Sequence, residues 1–211
     1  MRLFMTMLLS EQLRPSRFDD LTLPTSLKMR LQKMYDTRNV MNMLFYGKPG
    51  TGKTTAAKIF TKSEFFDAIE INGSLQTSIE EIRSTVQCFA TSCSLFDTPK
   101  ICFIDEAEYL SKNSQAGLRS LIESSSENCR YIFTANDLSK IHPALCSRLI
   151  PICFDMTVTQ TQEALDSYVH RLIEKLRQTS SSVNEDRVKR IVQLNYPDFR
   201  TIANHLEFEL F

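Results

Sequence analysis

A chain of 211 residues with 42% apolar side chains can bury a full core, as one domain of ordinary size or as a core carrying a small satellite. Its 25 basic and 25 acidic residues cancel, so no global field draws it to nucleic acid or to a membrane, and any DNA-binding surface must be a local cluster. No apolar run approaches the about 20 residues of a membrane-spanning helix, and the short Leu3–Leu9 stretch meets Glu11 and Arg14 without a cleavage site, which argues against secretion.

In chain order, Met43-Leu44-Phe45-Tyr46 is a short apolar run stopped by Gly47, and Lys53 to Thr61 has helical character. Between them Gly47 to Thr54 reads G-K-P-G-T-G-K-T, a complete phosphate-binding loop in a strand–loop–helix context. Gly47, Pro49, Gly50 and Gly52 let the backbone wrap closely, so that successive N–H groups and the helix N-terminus face a phosphate. Lys53 supplies a point charge to the β and γ oxygens, and Thr54 offers its hydroxyl to Mg²⁺. ATP with Mg²⁺ is therefore expected against Gly47, Lys48, Pro49, Gly50, Thr51, Gly52, Lys53, Thr54 and Thr55.

Further apolar runs at Ala68–Ile71, Ile101–Ile104, Tyr131–Thr134 and Leu149–Phe154 read as strands. Helical stretches at Ser78–Ser92 and Asn113–Glu123 separate them, and this alternation predicts an α/β fold, a five-stranded parallel sheet covered by helices on both faces. The six cysteines (Cys88, Cys93, Cys102, Cys129, Cys146, Cys153) form no C-x-x-C pair, and those within Ile101–Ile104 and Leu149–Phe154 are expected to be buried. A reducing, cytoplasmic compartment and no structural zinc follow.

Ile101-Cys102-Phe103-Ile104 ends in Asp105-Glu106, two acids at the carboxyl edge of a strand, where open α/β sheets bind ligands. After a phosphate loop, Asp105 is expected to hold the metal through water and Glu106 to orient or activate the attacking water. Taken alone, such a pair also reads as helix N-terminal charge. Asn136, after Tyr131–Ala135, reads equally as a group reaching the γ-phosphate or as a turn residue capping the next segment. Beyond Asp155 the pattern is helix only, at Gln160–Arg177, Asn184–Leu194 and Phe199–Glu209, with a polar Gln178–Ser182 spacer. Two domains are expected: a nucleotide-binding α/β domain over 1–156 and a helical domain over 157–211.

The order of the phosphate loop, Asp105-Glu106, Thr134-Ala135-Asn136, Cys146-Ser147-Arg148 and Pro197-Asp198-Phe199-Arg200 resembles the AAA+ ATPase subunits of DNA polymerase clamp loaders. Glu11 to Asp20 is similar to their N-terminal segment that encloses adenine, with Leu13 in place of the family's tyrosine. Pro-Asp-Phe-Arg and the Ser114–Ser120 helix, Ser-Gln-x-x-Leu-Arg-Ser, resemble most the large subunit of the T-even-type bacteriophage loader. The resemblance covers roughly residues 8 to 210 and implies a P-loop AAA+ core with a small C-terminal helical lid. It implies adenine contacts at Arg14 and Pro15, and an arginine finger at Arg148 acting in the neighbouring subunit's site, although Leu149 replaces the family's cysteine. It also implies a second sensor at Arg200 and DNA-phosphate contacts at Arg83, Lys112 and Arg119, with Gln115 on the coupling helix. Without it, each of these arginines and Lys112 reads as a solvated surface charge.

The implied partners are other loader subunits in a ring, a sliding clamp and primer-template DNA, in the host cytoplasm if the gene is a phage's. Family members continue into a helical collar beyond the position of Phe211; either the collar is encoded separately, or the chain is a fragment, or the protein assembles differently. Rival readings are a helicase loader or branch-migration motor sharing the ATP chemistry, and a scaffold subunit that no longer hydrolyses ATP.

Overall fold

A computed structural model describes residues 8–75, 79–92, 94, 98–179 and 183–210. Leu3 to Met7, Ser78 as the start of its helix, Cys93, residues 180–182 of the spacer and Phe211 lie outside them. The strands are β1 Met43–Tyr46, β2 Asp67–Asn72, β3 Lys100–Asp105, β4 Cys129–Ala135 and β5 Ile150–Cys153. The helices are α1 Leu9–Gln12, α2 Thr25–Asp36, α3 Lys53–Thr61, α4 Ile79–Thr91, α5 Lys112–Ser124, α6 Pro143–Cys146, α7 Val158–Thr179, α8 Glu185–Asn195 and α9 Phe199–Leu210.

The five strands form one parallel sheet in the order β2-β3-β4-β1-β5. Successive side chains on a strand point to opposite faces, and the sequence uses both. Met43, Phe45, Ile101, Phe103 and Ile132 pack on one face with Phe18, Leu31, Ala56 and Phe60 from the N-terminal segment, α2 and α3. Leu44, Cys102, Ile104, Tyr131 and Phe133 pack on the other with Ile82 and Val86 of α4 and Leu118, Leu121 and Ile122 of α5. Phe45, Phe60, Phe103 and Phe133 are fully buried, and each such side chain stabilises the sheet by about 1.5–3 kcal/mol relative to exposure.

One expectation changes. Cys153 is exposed, whereas Cys102 is buried, because β5 is an edge strand whose four residues are largely accessible. Helix α2 is not marked by the apolar pattern: only Leu31 and Met34 of its twelve residues are buried, and no side chain caps its start.

Helices α7, α8 and α9 bury Leu172, Ile173, Leu176, Val188, Ile191, Val192, Ile202 and Leu206 in a third cluster. Leu9 of α1 joins it, and the Leu9 N–H donates to Glu207 Oε1 at 3.2 Å, so the N-terminal segment packs on the C-terminal helices. Those helices also touch the phosphate loop, where the Phe199 N–H donates to the Gly50 carbonyl at 3.3 Å.

Candidate active site

The strand order sets up the site. With β4 between β3 and β1, the carboxyl end of β4 separates Asp105, on β3, from the loop that follows β1. The loop makes its turn with three left-handed glycines, Gly47 (φ 140°), Gly50 (φ 78°) and Gly52 (φ 93°), a backbone that residues with a Cβ rarely adopt. The Lys48 N–H is held by Asp155 Oδ1 at 2.8 Å and the Thr51 hydroxyl by the Lys48 carbonyl at 2.9 Å.

Lys53 is buried, with 7% of its surface exposed, and its Nζ donates to the carbonyls of Gly47 (2.8 Å) and Lys48 (2.7 Å). Burial lowers its pKa, opposed by the carboxylates of Glu108, Asp155 and Asp105. The Thr54 hydroxyl donates to Asp105 Oδ1 at 2.9 Å. Thr134, 2% exposed on β4, donates its hydroxyl to the same oxygen and accepts the Glu106 N–H at 2.9 Å. Glu106 has a left-handed backbone (φ 55°, ψ 44°), uncommon for a residue with a side chain. That geometry turns the chain at the strand end, and Thr134 anchors it.

A loop of donors, a buried ammonium, a threonine hydroxyl and an aspartate are suited to a triphosphate and its cation. Among the described residues no three His, Cys, Asp or Glu side chains converge as a cage. The Thr54–Asp105 pair instead suits Mg²⁺, which takes one or two protein oxygens and completes its shell with water and phosphate.

A cleft of about 510 Å³ opens beside the loop, lined by Arg14 and Pro15, by Gly50 to Thr55, and by Tyr168, Phe199 and Arg200 of the C-terminal helices. Of the residues expected against the nucleotide, Arg14, Pro15 and Gly50 to Thr55 line this cleft, and Gly47, Lys48 and Pro49 do not; Arg14 is paired to Glu11 at 2.7 Å and Arg200 lies at the start of α9. Asn136 lies at the end of β4, bonded to Glu108 rather than capping the next turn; Asp137 caps that turn.

Arg148 does not line the cleft. It pairs with Glu123, and its Nη1 donates to Ser147 Oγ at 2.9 Å. Arg119 is an exposed partner of the same Glu123, while Arg83 and Lys112 are exposed on α4 and at the start of α5. Between these regions Gln115, 1% exposed, donates to the carbonyls of Leu110 (3.1 Å), Ala107 and Lys140 (both 3.3 Å) and accepts the His142 N–H at 2.6 Å. It therefore ties the turn after Glu106 to the segment leading to Arg148.

Sequence reasoning missed Glu108, Asp155 and Asp198. Glu108 was visible as the fourth residue of Asp105-Glu106-Ala107-Glu108. Asp155 shows its role only when Gly47 and the end of β5 are adjacent. Asp198 caps α9, accepting the Arg200 N–H (3.0 Å) and Thr201 N–H (3.1 Å), and reaches the loop only through the fold.

Comparison with known proteins agrees with this geometry. The chain is 30% identical to the "Replication factor C small subunit" of Archaeoglobus fulgidus, over 93% of this chain and 62% of that protein. It is 31% identical to "Replication factor C subunit 5" of Homo sapiens, over 93% and 58%. The chain thus spans about three fifths of the length of these relatives. Among solved structures it superposes on the Thermotoga maritima RuvB Holliday junction branch migration motor with a TM-score of 0.64 at 20% identity, over 93% of this chain and 64% of that one; this likeness concerns the fold. The model of the ATPase family associated with various cellular activities matches residues 43–156, more than half of the sequence and the whole sheet from β1 to β5, and the chain belongs to that AAA family.

Proposed function

We propose that the chain is an ATPase subunit of a DNA polymerase sliding-clamp loader, completing its active site with an arginine from a neighbouring subunit. The observation that carries this reading is the separation of Arg148 from its own cleft. Lys53 and Thr54 line that cleft, Thr54 is bonded to Asp105 and Glu106 follows it in the chain, while Arg148 is outside the lining and pairs with Glu123. The 30% identity to replication factor C subunits over nearly the whole chain supports the loader class.

Lys53 would exchange its two loop carbonyls for phosphate oxygens, and Thr54 and Asp105 would hold Mg²⁺. The cation, when bound, neutralises phosphate charge and fixes the phosphate geometry. Glu106, anchored by Thr134, orients the attacking water and draws its proton. Asn136 faces the γ-phosphate from the end of β4, and Arg200 senses it from the helical domain, proposed as a lid over 157–211 on a core over 1–156. Arg14 and Pro15 border the adenine. Arg148 neutralises charge on the transferring phosphoryl group of the neighbour, a role worth roughly 10³ to 10⁵ in rate.

The partners in this reading are further loader subunits, a sliding clamp and primer-template DNA, with Arg83, Lys112 and Arg119 contacting phosphates rather than bases. Pro197–Arg200 and Ser114–Ser120 support a phage-type large subunit within this class, working in the host cytoplasm. The test is the ATPase rate with and without clamp and primed DNA, with Arg148→Ala protein mixed into wild type. Stimulation by DNA and poisoning by the mutant are expected. Absence of both effects, with ATP binding intact, would overturn the loader reading.

A further inference from the structure

Glu108, the last acid of Asp105-Glu106-Ala107-Glu108, has no role in the chemistry above, yet its bonding is specific. Its Oε1 accepts two hydrogen bonds from one residue, the Asn136 backbone N–H at 2.9 Å and Asn136 Nδ2 at 2.7 Å. Its Oε2 is buried and has no hydrogen-bond partner among the described residues. Glu108 is also the carboxylate that attracts the Lys53 ammonium most strongly, ahead of Asp155 and Asp105. The residue is bonded to the segment that follows β4, and its charge acts on the loop lysine.

We infer that Glu108 is a positioning residue that fixes the Asn136 amide toward the γ-phosphate site. This inference rests on the reading of Asn136 given under Proposed function. A carboxylate only accepts, so the side of the Asn136 amide that meets it must be Nδ2, and the orientation of the group follows without ambiguity. One hydrogen of Nδ2 is committed to Glu108, and the second hydrogen and Oδ1 are presented outward. Asn136 is exposed, and an exposed amide with no partner would sample several rotamers. Two charge-assisted bonds, one to the backbone and one to the side chain, remove that freedom.

Burying an unpaired carboxylate oxygen is costly. The Oε2 atom of Glu108 is held in that position by the two bonds that Oε1 accepts from Asn136.

The inference is tested by nitrogen-15 NMR on the chain of residues 1–211, together with the turnover of its assembly with neighbouring subunits. In the wild type, the Asn136 backbone N–H is expected to be protected from solvent exchange although the residue is exposed, and its Nδ2 protons are expected to be well separated in shift. Glu108→Ala should abolish both signatures, and Glu108→Gln, which keeps an acceptor oxygen, should retain them. Glu108→Ala should lower turnover about 10- to 100-fold, the range of a misplaced group, with the KM for ATP within about threefold of wild type; Glu108→Gln should rescue most of it. The double variant with Asn136→Ala should be no slower than Asn136→Ala alone.

An unprotected wild-type Asn136 amide overturns the inference even if no variant folds. Unchanged Asn136 resonances in Glu108→Ala, or losses that multiply in the double variant, also overturn it. Wild-type turnover in Asn136→Ala removes the γ-phosphate role of Asn136, while the exchange and shift data still decide whether Glu108 holds it.

Discussion

Arg148 is bound to Glu123 by two nitrogens on one oxygen: Nε donates to Oε1 at 2.7 Å, and Nη2 lies 2.5 Å from the same atom. That oxygen also receives Arg119 Nε at 3.2 Å. The Arg148 hydrogen bond, followed by that of Arg119, holds the Glu123 carboxyl below the usual carboxylate range. A single carboxylate joins the residue proposed to complete a neighbour's site to one proposed to meet DNA.

This contact predicts a graded effect. Glu123→Gln should lower the turnover of an assembled complex about three- to tenfold by freeing the Arg148 guanidinium, against roughly 10³ or more for Arg148→Ala. The melting temperature of the isolated chain should not move, because exposed ion pairs contribute little to stability. Since the carboxyl pKa is depressed, the contact persists above the unfolded value of 4.5 and weakens only as pH falls through the lower folded value. Wild-type turnover in a Glu123→Gln assembly sinks the idea that this carboxylate sets the finger.

Thr134 predicts a coupled loss of stability and activity. Its hydroxyl spans Asp105 and the Glu106 N–H from a position 2% exposed. Thr134→Val keeps the shape and leaves a buried N–H and a carboxylate oxygen each short of a bond, at a cost of about 1–3 kcal/mol. Glu106, in its left-handed conformation, loses its anchor, so turnover should fall at least about tenfold. Urea unfolding and the ATPase rate check both; a variant as stable and as active as wild type would show that the bridge carries no strain or function.

Some of this was legible in the sequence and some was not, for physical reasons. The loop glycines, Lys53, Thr54 and Asp105-Glu106 are readable because phosphate and cation chemistry demands those residue types in one short order. Each of the five apolar runs contains a strand; for the central β1, β3 and β4 the reason is that a strand buried on both faces needs a continuous apolar segment. Their spatial order, β2-β3-β4-β1-β5, is not encoded in any local pattern, and it is that order which makes Thr134 the bridge. Glu108 and Asp155 have ordinary neighbours in sequence; only the fold brings Glu108 to Asn136 after β4 and Asp155 to the Lys48 N–H of the loop. Leu9 looked like part of the core domain and packs on the C-terminal helices instead, because a one-turn helix carries no signal of which surface it joins.

Two glycines of the loop should respond differently to alanine. A Cβ at Gly50 (φ 78°) would lie 2.7 Å from Asp198 Cα and 2.4 Å from Asp198 Oδ1, whereas one at Gly52 (φ 93°) meets nothing within 4 Å. Gly52→Ala then carries only the left-handed backbone cost of about 1–2 kcal/mol. Gly50→Ala carries the same cost and also pushes the start of α9 away, breaking the Phe199 N–H bond to the Gly50 carbonyl. Thermal unfolding should show the larger drop for Gly50→Ala, and hydrogen exchange at the Phe199 amide should rise in that variant alone. Equal behaviour of the two variants would mean that α9 does not rest on the loop.

Lys53 makes ATP binding depend on pH. Burial lowers its pKa from 10.5, and nearby carboxylates only partly restore it. For a base with a depressed folded pKa, the cost of burying the ammonium is full below that pKa and fades as pH rises through it toward 10.5. A bound triphosphate favours the ammonium and raises the pKa again. ATP affinity should therefore be level at neutral pH and fall as pH climbs through the depressed value, before 10.5 is reached, by up to about tenfold per pH unit. Titration calorimetry from pH 7 upward measures the slope. Lys53→Arg should bind more weakly overall, since the guanidinium does not fit a point-charge site, yet its profile should be level across the same window, because arginine stays protonated. A wild-type profile level to pH 10.5, or an arginine variant with the wild-type slope, would mean that the titrating group is not Lys53.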